Sequence, residues 1–167
     1  MKFSYYNHLS KKNKATYLKS ESINLIEINS VLPLRRCLQG INVALKNENK
    51  ERVELLSQHL TNKLCNNLLI KALKVKVLSV RPKNRHSELY GMYEPSFSRA
   101  KSMLTIWMRT STKKQPVRFK TFLRTLMHEL CHHYDYEHLG FSDSFHTIGF
   151  FNRESSLYKQ VIAYYPE

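Results

Sequence analysis

The sequence predicts a single α+β domain in which helices come first, a small three-stranded twisted sheet follows, and two further helices close the chain. Apolar residues recur at three- and four-residue intervals over 49–70 and 119–134, as in helices. They alternate over 73–80 and 102–109, as in strands. A chain of 167 residues is long enough to bury about 70 % of its unfolded surface in one core.

The N-terminal part divides into three segments. Residues 1–20 contain five lysines, no acidic residue and no apolar periodicity, so we expect a basic, flexible lead-in before a folded domain over 21–167. Residues 21–47 favour helix with an interruption near Pro33, because the residue before a proline is driven toward extended backbone. Residues 49–70 predict a clearer helix with one apolar side.

Three strands are expected next. Residues 73–80 alternate between valines and lysines, and residues 88–94 surround Gly91 with apolar side chains, which indicates a short strand with a bulge. Ser102–Arg109 alternate again, and we expect this third strand to lie at the edge of the sheet.

Two helices are expected after the sheet. The first has Pro116 in its first turn and Gly140 just past its end, which are the places that these residues favour. The second is expected to begin near Ser142–Ser144, because serine and aspartate favour the N-cap position, and to end before Pro166.

The first of these helices carries the sequence H-E-L-C-H at positions 128–132. Residues four apart in a helix lie about 6 Å apart on one face, so His128 and His132 can bind one metal ion. Zn²⁺ takes nitrogen ligands in a tetrahedron, and a catalytic site uses three protein ligands and leaves one position for water. Glu129, next to the first ligand, is placed to accept a proton from that water as the general base.

The third ligand has two candidates downstream. His146 lies fourteen residues after His132, beyond the turn expected at Gly140 and at the start of the predicted last helix. Glu154, about two helical turns further on, is the alternative, because some zinc sites take a carboxylate in this role. Ligand type and geometry favour His146.

Other polar residues of the region have expected supporting roles. Asp135 shares the face of the two ligands, and we expect it to accept the N–H of a ligand imidazole. Arg153 is expected to pair with Asp135 or to stabilise an anionic intermediate. The candidates for donating to a developing oxyanion are Tyr134, Tyr136 and Tyr158. The histidines not expected to bind the ion are His133 and His138.

The net charge of +14 is unevenly distributed. Residues 71–124 hold fourteen Lys or Arg against Glu88 and Glu94, a net charge of +12. Such a segment favours an anionic partner, with nucleic acid bound without sequence preference as the first candidate. Acidic protein partners and a merely solvated basic surface are the alternatives. The clusters of basic residues are Arg81, Lys83, Arg85 and Lys113, Lys114, Arg118.

Cysteine usage and hydropathy point to a cytoplasmic protein. Cys37, Cys65 and Cys131 are odd in number and lack the spacing of metal ligands, so we expect reduced thiols. No run of 18 apolar residues predicts a membrane span, and Met1–Ser20 lack the apolar stretch of a signal peptide.

The stretch from Arg124 to Arg153 resembles the SprT-like and related small zincin metallopeptidases, the minimal gluzincin-type folds. The resemblance rests on the H-E-L-x-H core at 128–132, on the later His-x-x-Gly-Phe beginning at His146, and on the preceding strand block with Gly91. It implies a zincin-like fold in which Zn²⁺ is the cofactor and in which three histidines bind it and a glutamate is the general base. These are His128, His132, His146 and Glu129. Many SprT-like proteins act on DNA-bound proteins.

These observations lead us to expect a zinc metalloendopeptidase that acts on protein or peptide substrates, with nucleic-acid-associated proteins among them. The alternative is a zinc-containing module that binds nucleic acid or protein without catalysis. The presence of Glu129 favours the peptidase, because a purely structural zinc site does not need a base.

Overall fold

The computed structural model describes residues 3–29, 31–82, 89–96, 98 and 100–165. It confirms the α+β class: within these residues five α-helices accompany one mixed three-stranded sheet, and a short 3₁₀ helix, Ser4–His8, precedes them. The elements in chain order are α1 (Lys11–Ser22), α2 (Arg35–Lys46), α3 (Lys50–Asn67), β1 (Lys74–Val80), β2 (Gly91–Glu94), β3 (Met103–Arg109), α4 (Phe119–Glu137) and α5 (Ile148–Ile162).

Side-chain caps fix the start of three helices. The Ser10 hydroxyl accepts from the backbone N–H of Asn13 before α1, the Asn49 amide oxygen accepts from that of Arg52 before α3, and Thr147 caps α5. These contacts satisfy donors that the first turn of a helix leaves unpaired. After α4, Gly140 has a φ of +63°, a conformation that glycine adopts without strain.

The strand order in the sheet is β1–β3–β2. Strand β3 pairs in parallel with β1, where Val77 lies opposite Ile106, and antiparallel with β2, where Gly91 lies opposite the same Ile106. The expectation that Ser102–Arg109 form an edge strand is therefore wrong: β3 is central, and its residues 104–108 are buried. A central strand has neighbours on both faces and both sides, whereas local alternation of side chains reports only the faces.

The two edges of the sheet differ. The backbone N–H groups of Val75 and Val77 donate to Gln58 Oε1 and Glu54 Oε2 of α3, each at 2.8 Å. Side chains of α3 thus satisfy the outer edge of β1, as a covered edge requires. Strand β2 forms the other edge, beside α4.

The N-terminal residues differ from the expected irregular lead-in. Lys11–Ser22 form α1, which packs on α5. Tyr17 and Ser20 are fully buried, and α1 has no apolar stripe. The close approach is made by Gly149 of α5, where an added Cβ would overlap the carbonyl oxygen of Ser20. A polar helix seated against a glycine leaves no periodic signal in the sequence.

Two further boundaries differ from expectation. Helix α5 begins at Ile148 and not near Ser142–Ser144, because Thr147 supplies the cap. Residues 23–29 and 31–34 are outside any helix, so among the described residues of the segment 21–47 the helical ones are 21–22, at the end of α1, and 35–46, in α2.

Helices α2 to α5 and the sheet share one apolar core. Its fully buried members include Leu38, Ile41, Leu60, Leu64, Leu104, Phe122, Leu126, Leu130, Phe150 and Leu157. None of the helices that the described residues form combines the length and the apolar character needed to cross a bilayer.

Candidate metal centre

Three imidazoles meet at one point beside α4. His128 and His132 project from successive turns of the helix, with ring centroids 5.0 Å apart. His146 reaches them from the loop just before the Thr147 cap of α5, not from within that helix as expected. Its Nε2 lies 3.0 Å from Nε2 of His128 and 3.1 Å from Nε2 of His132. The three ligand atoms all lie within 4.8 Å of one another.

This geometry fits a tetrahedral metal ion. Nitrogens bonded to one Zn²⁺ at about 2.0–2.1 Å lie roughly 3.3 Å apart in a tetrahedron, close to the two Nε2 separations. Imidazole nitrogens also suit Cu, Fe and Ni, so the donor set indicates a transition metal and does not by itself choose one. A ligand imidazole must be neutral. Burial, with His128 and His146 nearby, lowers the pKa of His132 to about 2, so His132 meets this condition at neutral pH.

Glu154, the alternative third ligand, contacts the opposite side of a ligand ring. Its Oε2 lies 3.7 Å from Nδ1 of His128, while its Oε1 lies 2.9 Å from Nε of Arg124. Because Nε2 of His128 faces the other imidazoles, Glu154 contacts the far side of the His128 ring and does not take the place of His146. The structure therefore brings together the three histidines, with Glu154 behind the first.

A series of side-chain contacts leads from Nδ1 of His132 to a buried ion pair. Its Nδ1 lies 2.8 Å from Oγ of Ser144, which donates to Oδ2 of Asp135 at 2.8 Å. Asp135 is paired with Arg153 at 2.9 and 3.0 Å, and both side chains are fully buried. The expected pair of Asp135 and Arg153 is confirmed, but Asp135 reaches the ligand through a serine hydroxyl and not directly.

Glu129 lies between the imidazoles and the sheet. The residue is only 6 % exposed, and its carboxylate packs on the backbone of β2, where a Cβ on Gly91 would lie 2.5 Å from Oε1. Burial raises the pKa of Glu129 to about 7, and the nearby His128 opposes that rise. A carboxyl group with such a pKa can both take and return a proton at neutral pH.

The site opens into a cleft of about 430 Å³ between α4 and the N-terminal end of β2. The lining residues are Leu89, Tyr90, Gly91, Arg124, Thr125, His128, Glu129, His132, His146 and Glu154. The expected oxyanion donors Tyr134, Tyr136 and Tyr158 are not among them. Tyr90 is, and its ring stacks on the Arg81 guanidinium at 3.9 Å. Tyr90 could not be chosen from the sequence, because the approach of β2 to α4 is a tertiary contact.

The first residues of the chain hold the loop that carries His146. The Tyr5 hydroxyl donates to the carbonyl oxygen of His146 at 2.9 Å, and its ring stacks on Phe145. Phe3 packs edge-on against Phe151 of α5. No local pattern in the sequence signals these contacts, because the partners are 140 or more residues apart.

The remaining histidines of the region lie apart from the cluster, as expected. His133 is buried, with its Nδ1 2.9 Å from the Tyr93 hydroxyl and its Nε2 2.7 Å from the carbonyl oxygen of Lys71. His138 is exposed and stacks on Tyr134. Cys131 is fully buried and belongs to the apolar core.

The basic clusters divide between surface and interior. Lys113, Lys114 and Arg118 are exposed. Arg81 is only 5 % exposed, so it does not belong to the exposed basic surface. Lys83 and Arg85 lie outside the described residues.

In comparison with known proteins, no protein-family model, no curated protein and no solved structure matches this chain.

Proposed function

We propose that the protein is a zinc-dependent peptidase whose metal ligands are His128, His132 and His146 and whose general base is Glu129. The observation that carries the proposal is the position of Glu129: a buried carboxylate in the same cleft as three convergent imidazoles. A site that held metal only for stability would not need this carboxylate, because its desolvation has an energetic cost. The resemblance of the motifs to those of SprT-like zincins and the placement of α4 beside a small sheet also support a zinc-dependent peptidase.

The roles of the chain's own residues follow from their places. A Zn²⁺ ion held by the three imidazoles would polarise a scissile carbonyl and lower the pKa of a bound water to about 7. Glu129, buried beside the three imidazoles, takes the proton of the attacking water and delivers it to the leaving amine. The Gly91 backbone keeps the carboxylate in place.

We propose that the substrate binds as an added strand along β2. This strand is an edge of the sheet and borders the cleft, whereas the β1 edge is satisfied by α3. An extended peptide on such an edge is held by main-chain hydrogen bonds, which suits a peptidase of broad specificity. The exposed basic residues Lys113, Lys114 and Arg118 support nucleic-acid-associated proteins as substrates, and the free thiols suit the cytoplasm.

Metal analysis tests the ligand set. The purified protein should contain about one zinc per chain after dialysis. His146→Ala should lose most of it, and His138→Ala, which removes an exposed histidine of the same region, should retain it. Full zinc content in His146→Ala together with loss in Glu154→Ala would replace His146 by the carboxylate.

An activity assay tests the chemistry. Glu129→Gln should keep its zinc and its fold and lose peptidase activity by about 10²- to 10⁴-fold, since it removes the general base. An unchanged rate contradicts the mechanism. Zinc binding without activity of the unmodified protein on a broad peptide panel favours the non-catalytic binding module.

A further inference from the structure

His132 is joined to a buried ion pair by one hydroxyl group. Nδ1 of His132 lies 2.8 Å from Ser144 Oγ, the hydroxyl lies 2.8 Å from Asp135 Oδ2, and the carboxylate lies 2.9 and 3.0 Å from Arg153. The backbone N–H of Ser144 donates to Oδ1 of Asp143, which fixes the serine in its loop.

The fixed positive charge of Arg153 determines the direction of these hydrogen bonds. An arginine does not lose its proton, and a fully buried guanidinium requires a partner of opposite charge. Asp135 is therefore ionised and acts only as an acceptor. Burial raises the pKa of its carboxyl group, while the contacts with Arg153 and Ser144 oppose that rise.

Ser144 has a single hydroxyl proton, which it donates in the hydrogen bond to Asp135. The oxygen of Ser144 then faces His132 with a lone pair, so Nδ1 of His132 must carry the proton. A neutral imidazole has one N–H, which leaves Nε2 with a free lone pair. That atom is the one that points at His128 and His146.

We propose that Ser144 is a positioning residue that holds His132 in the one tautomer able to bind metal through Nε2. The tautomer follows from the hydrogen bonds alone, and its consequence for metal binding rests on the proposed zinc site.

Asp135→Asn should reverse the direction of the hydrogen bonds that lead to His132. The amide oxygen of the asparagine would remain with Arg153, and its NH₂ would face Ser144 and donate to it. The serine proton would then turn to Nδ1 of His132, which would place the imidazole proton on Nε2. The metal-binding lone pair would be lost. This variant also leaves the buried Arg153 without an opposite charge, which is destabilising, so circular dichroism checks its fold and the Ser144 variants provide a test that keeps the ion pair.

Two variants of Ser144 form a matched pair. Ser144→Thr keeps the hydroxyl and Ser144→Val removes it at nearly the same volume. Proton–nitrogen NMR of the metal-free protein should show Nδ1–H on His132 in the unmodified and threonine proteins. The valine protein should lose this preference, and Asp135→Asn should show Nε2–H. Zinc affinity, measured by chelator competition, should fall about 10- to 100-fold in the valine and asparagine proteins and be restored with threonine.

The result that overturns the proposal is Nε2–H on His132 in the unmodified protein, or the same tautomer and zinc affinity in the threonine and valine proteins. If the valine protein does not fold, Ser144→Ala takes its place. A protein that binds no zinc at all would refute the proposed function, while NMR of the metal-free chain would still decide the tautomer.

Discussion

Glu129 is held where its charge is unfavourable. In the metal-free protein its pKa of about 7 exceeds the ordinary value of 4.5, so the unfolded chain gives up the proton more readily than the folded one. Stability is therefore lost as the pH rises from 4.5 to 7 and stays lower above it.

Replacing this carboxylate should stabilise the metal-free protein. In the presence of a chelator, Glu129→Gln should have a free energy of unfolding higher by up to about 3 kcal/mol at pH 8, and the difference should vanish near pH 4. Urea unfolding at a series of pH values measures it. A difference that does not vary with pH would show that the carboxylate is not desolvated by the fold.

Gly91 is the residue that admits Glu129 to the cleft. A Cβ there would lie 2.5 Å from Oε1, so Gly91→Ala should displace the carboxylate and reduce peptidase activity by about 10²-fold or more while zinc content is preserved. The control is Gly40→Ala, where the added Cβ would meet only the flexible end of Leu56. Equal activity of the two variants would mean that Glu129 acts from another position.

At the scale of elements, α1 and α5 meet through a contact that leaves no space for a side chain. A Cβ on Gly149 would overlap the Ser20 carbonyl oxygen and lie 2.8 Å from those of Glu21 and Ile23. These are backbone atoms and cannot turn aside. The contact adjoins the hydrogen bond of 3.0 Å between the hydroxyls of Ser20 and Thr147.

Gly149→Ala should therefore move α1 away from α5. We expect a loss of about 1–3 kcal/mol in the free energy of unfolding, and a weaker zinc affinity, because Tyr17 and Ser20 of α1 contact the residues on either side of His146. Urea unfolding and chelator competition provide the measurements, with Gly40→Ala again as the control. Unchanged zinc affinity despite lower stability would separate α1 from the metal site.

Elements with a periodic apolar pattern could be predicted from the sequence. Helices α3 and α4 and strands β1 and β3 lie within a few residues of their expected positions, because their burial is regular along the chain. Helix α1 could not be predicted, since its contacts use Tyr17, Ser20 and a distant glycine. The central place of β3 depends on pairing, which the local sequence does not encode.

The candidate site likewise contains residues that could be predicted from the sequence and residues that could not. His128, Glu129 and His132 follow from helical spacing, and His146 from its ligand type and distance along the chain. Ser144, Tyr5 and Gly91 act through contacts with residues 12, 141 and 38 positions away. A hydroxyl, a tyrosine ring and a glycine have many common uses, so only their neighbours in space reveal these roles.

At the scale of the whole molecule, the charge of +14 concerns association more than folding. If the exposed residues of the segment 71–124 contact phosphates, DNA binding should weaken steeply with salt, the logarithm of affinity falling by about 0.9 per contact for each tenfold increase in salt. The triple variant Lys113→Ala, Lys114→Ala, Arg118→Ala should flatten this dependence and keep its zinc.

The matched control removes three exposed charges of α2, Arg35, Arg36 and Lys46, which lie outside the segment. Fluorescence anisotropy with a short duplex at several salt concentrations provides the comparison. Equal slopes for the two triple variants would assign the effect to total charge. The absence of binding at low salt would remove nucleic acid as a partner and leave the proposed peptidase activity as a separate question.

The contacts that hold the His146 loop join the two ends of the chain: Tyr5 bonds to residue 146, and Ser20 to residues 147 and 153. Contacts of such long sequence separation form late, because a large loop must close before they are made. During synthesis, α1 cannot make its contacts with residues 147 and 153 until residue 153 has left the ribosome. The two histidines of α4 then precede the third, which we expect to join them late in folding. A chain still being made would therefore have an incomplete site, and if the protein binds metal as proposed, the order in which its parts assemble would set the time of metal uptake.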